Sequence, residues 1–282
     1  GFVNAGIMSL MQAATVIYGA NIGTTITGQI TALGMFENSI STGVVFATFA
    51  GIGAFTMAFA KKDLVKKIGG ILAGFGMLFV GLDMMSTSMD TFASLDTVKN
   101  FLASISNPLL LVLIGTILTA IIQSSSVMTS IAITMVFTGL INLDQGIYLT
   151  MGSNIGSCVV AIIAGLTSAK RTALLHLLFN VSGVVIFMLV AMMMREISKA
   201  VNPTKIITFG YLFGKMFPGV PQTQLAMFHT IFNVITVIIM LPLTNLSVKL
   251  VCKILPDKKK KDEQPAEHFY YIDEHMLSTP PI

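Results

Sequence analysis

Three residue patterns in this chain place polar chemistry inside apolar sequence. The first is Gln123-Ser124-Ser125-Ser126, followed by Thr129 and Ser130, in the middle of the apolar stretch 108–141. A glutamine and several serines taken out of water cost free energy unless they are paired or hydrated. A lone serine is inexpensive in a membrane helix, where it bonds back to a carbonyl or lets helices approach. A cluster of this density is harder to account for in that way. The stretch reads as a re-entrant hairpin with its tip at the cluster. The serines would then open a helix over 124–141, whose first backbone N–H groups lack partners and point at the tip. That is an anion site. Hydroxyls add donors there without adding charge, which suits an anion that must bind and then leave.

The second pattern occurs twice, as GANIGTT at 19–25 and GSNIGSC at 152–158. Glycine on both sides of an asparagine is expected to break or loosen a helix and free carbonyl oxygens. Asn21, Asn154, Thr24, Thr25 and Ser157 add side-chain oxygens, and hard cations such as sodium take oxygen ligands. The competing reading is a glycine-mediated helix crossing with a structural asparagine. The third pattern, H-x-x-F-N, appears as HLLFN at 176–180 and HTIFN at 229–233. His176 with Asn180, and His229 with Asn233, share a helix face at this spacing. No cysteine or carboxylate pattern accompanies them, so a metal site is not expected; interhelical hydrogen bonding is the expected role, with a contribution to the transport path or to coupling as the alternative.

The elements that hold these residues follow from composition. Of 282 residues, 54% are hydrophobic and 11% charged, with mean hydropathy +0.83. Soluble domains carry about 25% charged residues. A soluble globular protein, a disordered chain and a disulfide scaffold are excluded, the last because only Cys158 and Cys252 are present. The fold class is an all-α polytopic membrane protein, since a chain in lipid must satisfy its backbone internally. The net charge of +4 comes with lysines in short loops and in the tail, not with a nucleic-acid footprint.

Spans are expected at 12–36, 42–60, 68–89, 145–167, 171–194 and 224–250, with the hairpin at 108–141. Lysines in 61–67, Lys170-Arg171 and the run from Lys253 to Lys261 put those segments in the cytoplasm by the positive-inside rule. Loop 90–107 falls outside. Loop 195–223 is also placed outside despite Arg195, Lys199, Lys205 and Lys215, with re-entry of 206–217 as one explanation. Asp83, Asp144 and Glu37 are expected as solvated residues near span ends. The charged tail from 254 cannot span. Phe269, Ile272, Met276 and Leu277 are spaced there as in the first turns of a soluble helix.

An offset of 133 aligns residues 1–31 with 134–164 and pairs Gly6/Gly139, Gln12/Gln145, Gly19/Gly152, Asn21/Asn154 and Gly23/Gly156. The side assignments make the two copies inverted, an architecture typical of secondary transporters with broken helices near the midplane. The organisation expected is a first repeat with a connecting helix over 1–107, a second repeat with its hairpin over 108–253, and a linker with the start of a helical domain over 254–282. The first repeat lacks a hairpin. The offset places a partner for Gln123 ten residues before Gly1, so the chain is read as part of a longer protein. No Walker motif G-x-x-x-x-G-K-[ST] is present. An enzyme is not expected, an intramembrane hydrolase using His176 or His229 being the remote alternative.

Taken together and in this order, QSSS with its trailing Thr-Ser, the GxNIG blocks and the HxxFN segments resemble the type II sodium-dependent phosphate cotransporter family. The tail FYYIDEHMLSTPPI resembles the junction at which bacterial members pass into a cytoplasmic bundle similar to PhoU. The resemblance implies sodium-coupled phosphate transport by alternating access in the plasma membrane, with the C-terminus cytoplasmic and no cofactor beyond sodium as coupling ion. It implies phosphate at Ser124, Ser125 and Ser126, sodium or bracing of the tip at Gln123, Thr129 and Ser130, and sodium at Asn21, Thr24, Thr25, Asn154 and Ser157, with His176, Asn180, His229 and Asn233 in support. Expected partners are inorganic phosphate, sodium and the lipid bilayer, with a second copy of the chain and phosphate-signalling proteins as further candidates. Phe36-Glu37-Asn38 departs from the Ala-Gly-Asp of electrogenic animal members, and Cys158 stands opposite Thr25. The alternative function is a phosphate exporter or phosphate-sensing regulator.

Overall fold

The structure, a computed structural model, describes residues 2–3, 5–35, 42–93, 95–164 and 167–256. Glu37 and the expected tail helix at 269–277 lie outside the described residues. Among those described there are helices and no strands: α1 (Leu10–Gly34), α2 (Thr42–Phe59), α3 (Asp63–Ala93), α4 (Asp96–Ser104), α5 (Pro108–Ile122), α6 (Ser125–Phe137), α7 (Leu143–Ala164), α8 (Thr167–Val201), α9 (Phe209–Met216), α10 (Pro221–Met240) and α11 (Thr244–Ile254). Among the described residues, three helical segments are long and apolar enough to cross a membrane, at Asp63–Met85, Ala169–Val201 and Pro221–Met240. Large apolar side chains face outward along the bundle, among them Ile71 at 74% exposure, Ile121 at 71% and Val201 at 81%. Water would penalise such a surface; hydrocarbon does not.

The polarity is correspondingly turned inward. The buried face of α1 carries Asn21, Thr25, Gly28 and Thr31, while Val16, Ile26 and Leu33 are exposed. The buried face of α10 carries Gln222, His229, Asn233 and Thr236 at helical spacing. Aromatic packing seats α9 against its neighbours: Phe209 meets Phe187 of α8 at 5.6 Å and Phe228 of α10 at 5.4 Å between ring centroids. The α2–α3 pair is held at close range through glycine. A Cβ on Gly53 would lie 2.2 Å from the Ala73 amide nitrogen, and one on Gly76 2.3 Å from that of Ala50.

Local geometry recurs at the offset of 133. Gly6 and Gly139 both take φ +70°. Gly6 donates to the Val3 carbonyl and Ile7 to that of Phe2, as Gly139 donates to Val136 and Leu140 to Met135. Ser9 and Gln12 cap α1 reciprocally, each accepting the other's backbone N–H at 3.2 and 2.9 Å. Asn142 and Gln145 do the same at the start of α7, both at 2.9 Å.

Four expectations need correction. The glycines of GANIGTT and GSNIGSC break neither helix, and α1 and α7 run straight through them. The expected span 224–250 is two helices, because Pro242 has no N–H to continue α10 and disfavours helix in the residue before it. The lysine-rich segment 61–67 is not wholly a loop, since α3 already begins at Asp63. Asp144 stands at the start of α7 as expected, but it is half-buried and hydrogen-bonded, not simply solvated. Its carboxylate accepts from Thr208 Oγ1 at 2.8 Å and from the Gly210 amide at 2.9 Å, and so ties the start of α9 to the start of α7. Gln145, 4% exposed, donates to the Leu102 and Ile105 carbonyls and ties in the end of α4.

Candidate functional site

The hairpin turns at Gln123, whose φ of +61° makes it the only non-glycine residue with positive φ among those described. α5 opens on Asn107, which accepts from Leu109 and Leu110, and on Pro108 at the first helical position. α6 opens on Ser124, whose Oγ accepts the Val127 amide at 3.3 Å. The Ser125 and Ser126 amides stand where a helix supplies no acceptor of its own. Ser124, Ser125 and Ser126 are half-buried and Gln123 is exposed. The tip therefore gathers serine hydroxyls, free amides and the positive end of a helix dipole, with no charged residue in it.

The hairpin is seated by α5 on α7, and here the paired glycines have their role. A Cβ on Gly152 would fall 2.0 Å from the Val112 carbonyl oxygen, and one on Gly156 2.4 Å from that of Thr116. Gly115 answers from α5, where a Cβ would meet the Leu149 carbonyl oxygen at 2.2 Å. Contacts rise together along both helices, so α5 and α7 run parallel. Thr116 Oγ1 also donates to the Gly152 carbonyl at 3.1 Å. On α1, by contrast, a Cβ on Gly19 or Gly23 would meet nothing within 4 Å.

Beyond the tip, several of the expected residues converge where α1, α6, α7 and α10 meet. Ser130 Oγ and Thr31 Oγ1 are 2.8 Å apart, and Thr129 Oγ1 and Ser153 Oγ 3.4 Å. Asn154 is bonded to both His229 and Asn233. Asn21, Thr24 and Thr25 instead turn back to carbonyls of their own helix, at Ile17, Ala20 and Ile22. Ser157 does likewise to Asn154. Asn180 donates to Cys158 Sγ at 3.1 Å, and His176 lines an apolar pocket of about 420 Å³ between α1 and α8. Beyond the tip, the expected residues thus form one assembled group around Asn154 and a second set distributed along α1, α7 and α8.

Sequence reasoning missed Thr31, Ser153 and Gln29, the last donating to Thr230 Oγ1 at 2.7 Å. The signal was available. Asn21, Thr25 and Gly28 recur at helical spacing and continue to the face of Thr31, which marks a polar stripe turned inward.

The Na+/Pi-cotransporter family model matches residues 1–87 and again 82–220. The chain belongs to the Na+/Pi-cotransporter family. Among relatives, "Uncharacterized protein YqeW" of Bacillus subtilis is 30% identical over 92% of this chain and 78% of its own length. "Putative inorganic phosphate export protein YjbB" of Escherichia coli is 25% identical over 100% of this chain, which spans 48% of that protein. The rat "Sodium-dependent phosphate transport protein 2B" is 40% identical over 28% of this chain and 12% of its own length. No solved structure matches. Membership and the phosphate-transport relatives support a membrane protein of the phosphate-transport class.

Proposed function

We propose that the chain carries sodium-coupled transport of inorganic phosphate by alternating access, with Ser124, Ser125 and Ser126 at the tip binding phosphate. The observation that carries this reading is the uncharged helix N-terminus of α6 next to a buried cluster of Thr, Ser and Asn oxygens. Phosphate is held there by amides and hydroxyls alone. A multivalent anion at a neutral membrane site is costly unless cations arrive with it. Thr129 and Ser130 offer oxygens one to two turns from the tip, Asn154 of α7 follows Ser153, which meets Thr129, and sodium bound there would balance the charge. The protein lies in the plasma membrane with its C-terminal side in the cytoplasm.

The open face of α1 belongs to the same reading. Gly19 and Gly23 are the repeat partners of Gly152 and Gly156, on which α5 sits. The face they form would seat a second hairpin like that of α5 and α6. Two hairpin tips would then close on one substrate.

The experiment is phosphate flux in proteoliposomes with an imposed sodium gradient. Uptake that follows an inward sodium gradient is the expected result, and flux indifferent to sodium overturns the coupling. Export is the second reading, favoured by the YjbB relative along the whole chain. It predicts net efflux from phosphate-loaded vesicles whatever the sodium gradient.

Gln123 supplies a further prediction. Its left-handed backbone costs about 1–2 kcal/mol that glycine would not incur, while glycine adds roughly 0.5–1 kcal/mol of entropy cost. The two nearly offset. Gln123→Gly is therefore expected to melt within a few degrees of the parent (~2–4 °C per kcal/mol) while losing transport. Unchanged transport would mean that the glutamine side chain has no part in the site.

A further inference from the structure

Asn154 is held by a closed ring of hydrogen bonds. His229 Nε2 lies 3.3 Å from Asn154 Oδ1, Asn154 Nδ2 donates to Asn233 Oδ1 at 3.3 Å, and Asn233 Nδ2 donates to the His229 carbonyl at 2.9 Å. All three side chains are buried, at 3%, 1% and 0% exposure for Asn154, His229 and Asn233. Each link fixes the next. A carbonyl only accepts, so the His229 carbonyl sets which end of the Asn233 amide faces it. Asn233 then presents Oδ1 to Asn154, which sets the Asn154 amide in turn. Asn154 Oδ1 only accepts, so the hydrogen must sit on His229 Nε2. The other nitrogen, Nδ1, is then a bare acceptor with no partner among the described residues. It faces α1, 3.7 Å from where a Cβ on Gly28 would stand.

The repeat partner of Asn154 is held differently. Asn21 Nδ2 donates to the Ile17 carbonyl of its own helix at 2.8 Å. The corresponding asparagine of the other HxxFN segment, Asn180, donates to Cys158 Sγ. One asparagine is oriented by its own helix, the other by a neighbouring one.

We propose that His229, backed by Asn233, is the positioning residue for Asn154, and that this is what the HTIFN segment does in transport. The inference rests on the reading of Asn154 as an ion-binding residue. Asn154 retains one lone pair on Oδ1 and one hydrogen on Nδ2. The ring fixes where they face and removes the amide's freedom to turn over. Partners that orient a ligating group in this way influence ion affinity without touching the ion.

Two substitutions separate this role from simple packing. Glutamine places its amide nitrogen near the position of imidazole Nε2, whereas asparagine reaches only as far as Nδ1. In sodium-driven phosphate uptake by proteoliposomes, His229→Gln is expected to keep the apparent sodium KM near the parent value. His229→Asn is expected to raise it by about tenfold or more, the scale of losing an orienting partner, with the phosphate KM at saturating sodium little changed. Equal behaviour of the two variants, or a parental sodium KM in His229→Asn, overturns the proposal. A second measurement does not depend on either variant folding. The imidazole ¹⁵N spectrum of the unmutated protein is expected to show His229 protonated at Nε2 and bare at Nδ1. The Nδ1–H tautomer would break the ring and the proposal with it. If the parent protein shows no sodium-dependent flux at all, the transport reading fails, and the tautomer still judges the clamp.

Discussion

Replacing Gly152 with leucine is expected to abolish transport and to unseat the α5–α6 hairpin. A Cβ alone at this position would stand 2.0 Å from the Val112 carbonyl oxygen and 3.0 Å from the Thr116 amide nitrogen. Both are backbone atoms of α5 and cannot rotate away. The helices must therefore separate, and separation also breaks the bond from Thr116 to the Gly152 carbonyl. In lipid no hydrophobic force restores the contact, because association rests on close van der Waals packing. Overpacking of a well-filled interface costs about 1–3 kcal/mol and sometimes more. A clash with backbone belongs at the upper end. The readouts are recovery of monodisperse protein after heating in detergent, and phosphate uptake. Gly19→Leu is the informative counterpart. In residues 1–282 alone it should be tolerated, because a Cβ there meets nothing within 4 Å. In a protein that carries the proposed second hairpin it should damage as much as Gly152→Leu, since that hairpin would rest on this face. Tolerance in both settings would remove the second hairpin from its seat on α1.

This contrast shows why one part of the site was legible in the sequence and another was not. The hairpin tip announced itself because a run of polar residues interrupted apolar sequence, and a polar group in lipid needs a reason. The turn falls at Gln123 and α6 starts at Ser125, within a residue of the expected opening. The glycines carried an ambiguous signal. In isolation a glycine loosens a helix, but beside another helix it is a contact surface, and the choice depends on a neighbour distant in the chain. Gly152 is decided by Val112 and Thr116, which its own heptad does not contain. The bonds of Asp144 to Thr208 and Gly210 and of Ser130 to Thr31 are illegible for the same reason, because each joins residues whose separation is set by the tertiary fold. Pro242 is different. Its meaning was local and available, but apolar residues on either side disguised a helix break as a continuous span.

Ser125→Ala combined with Ser126→Ala is expected to weaken phosphate binding by about a hundredfold or more while leaving the fold intact. A hydrogen bond to a charged group contributes about 1.5–3 kcal/mol, so losing two hydroxyl donors to phosphate removes about 3–6 kcal/mol. At about 1.4 kcal/mol per tenfold, the lower bound already corresponds to roughly two orders of magnitude. Stability should not follow. Alanine is a better helix former than serine, and both positions are half-buried in the first turn of α6, so no core cavity opens. Ser124 must be kept, because its Oγ caps the helix at Val127. Removing that cap would cost about 1 kcal/mol of helix stability and confound the result. Binding should be weakened and not erased, since the Ser125 and Ser126 backbone amides and the helix dipole survive the substitution. Phosphate uptake measured against concentration should therefore show a much higher KM with a residual maximal rate. An unchanged KM would place phosphate somewhere other than this tip. A complete loss of transport accompanied by a lower melting temperature would make the serines structural.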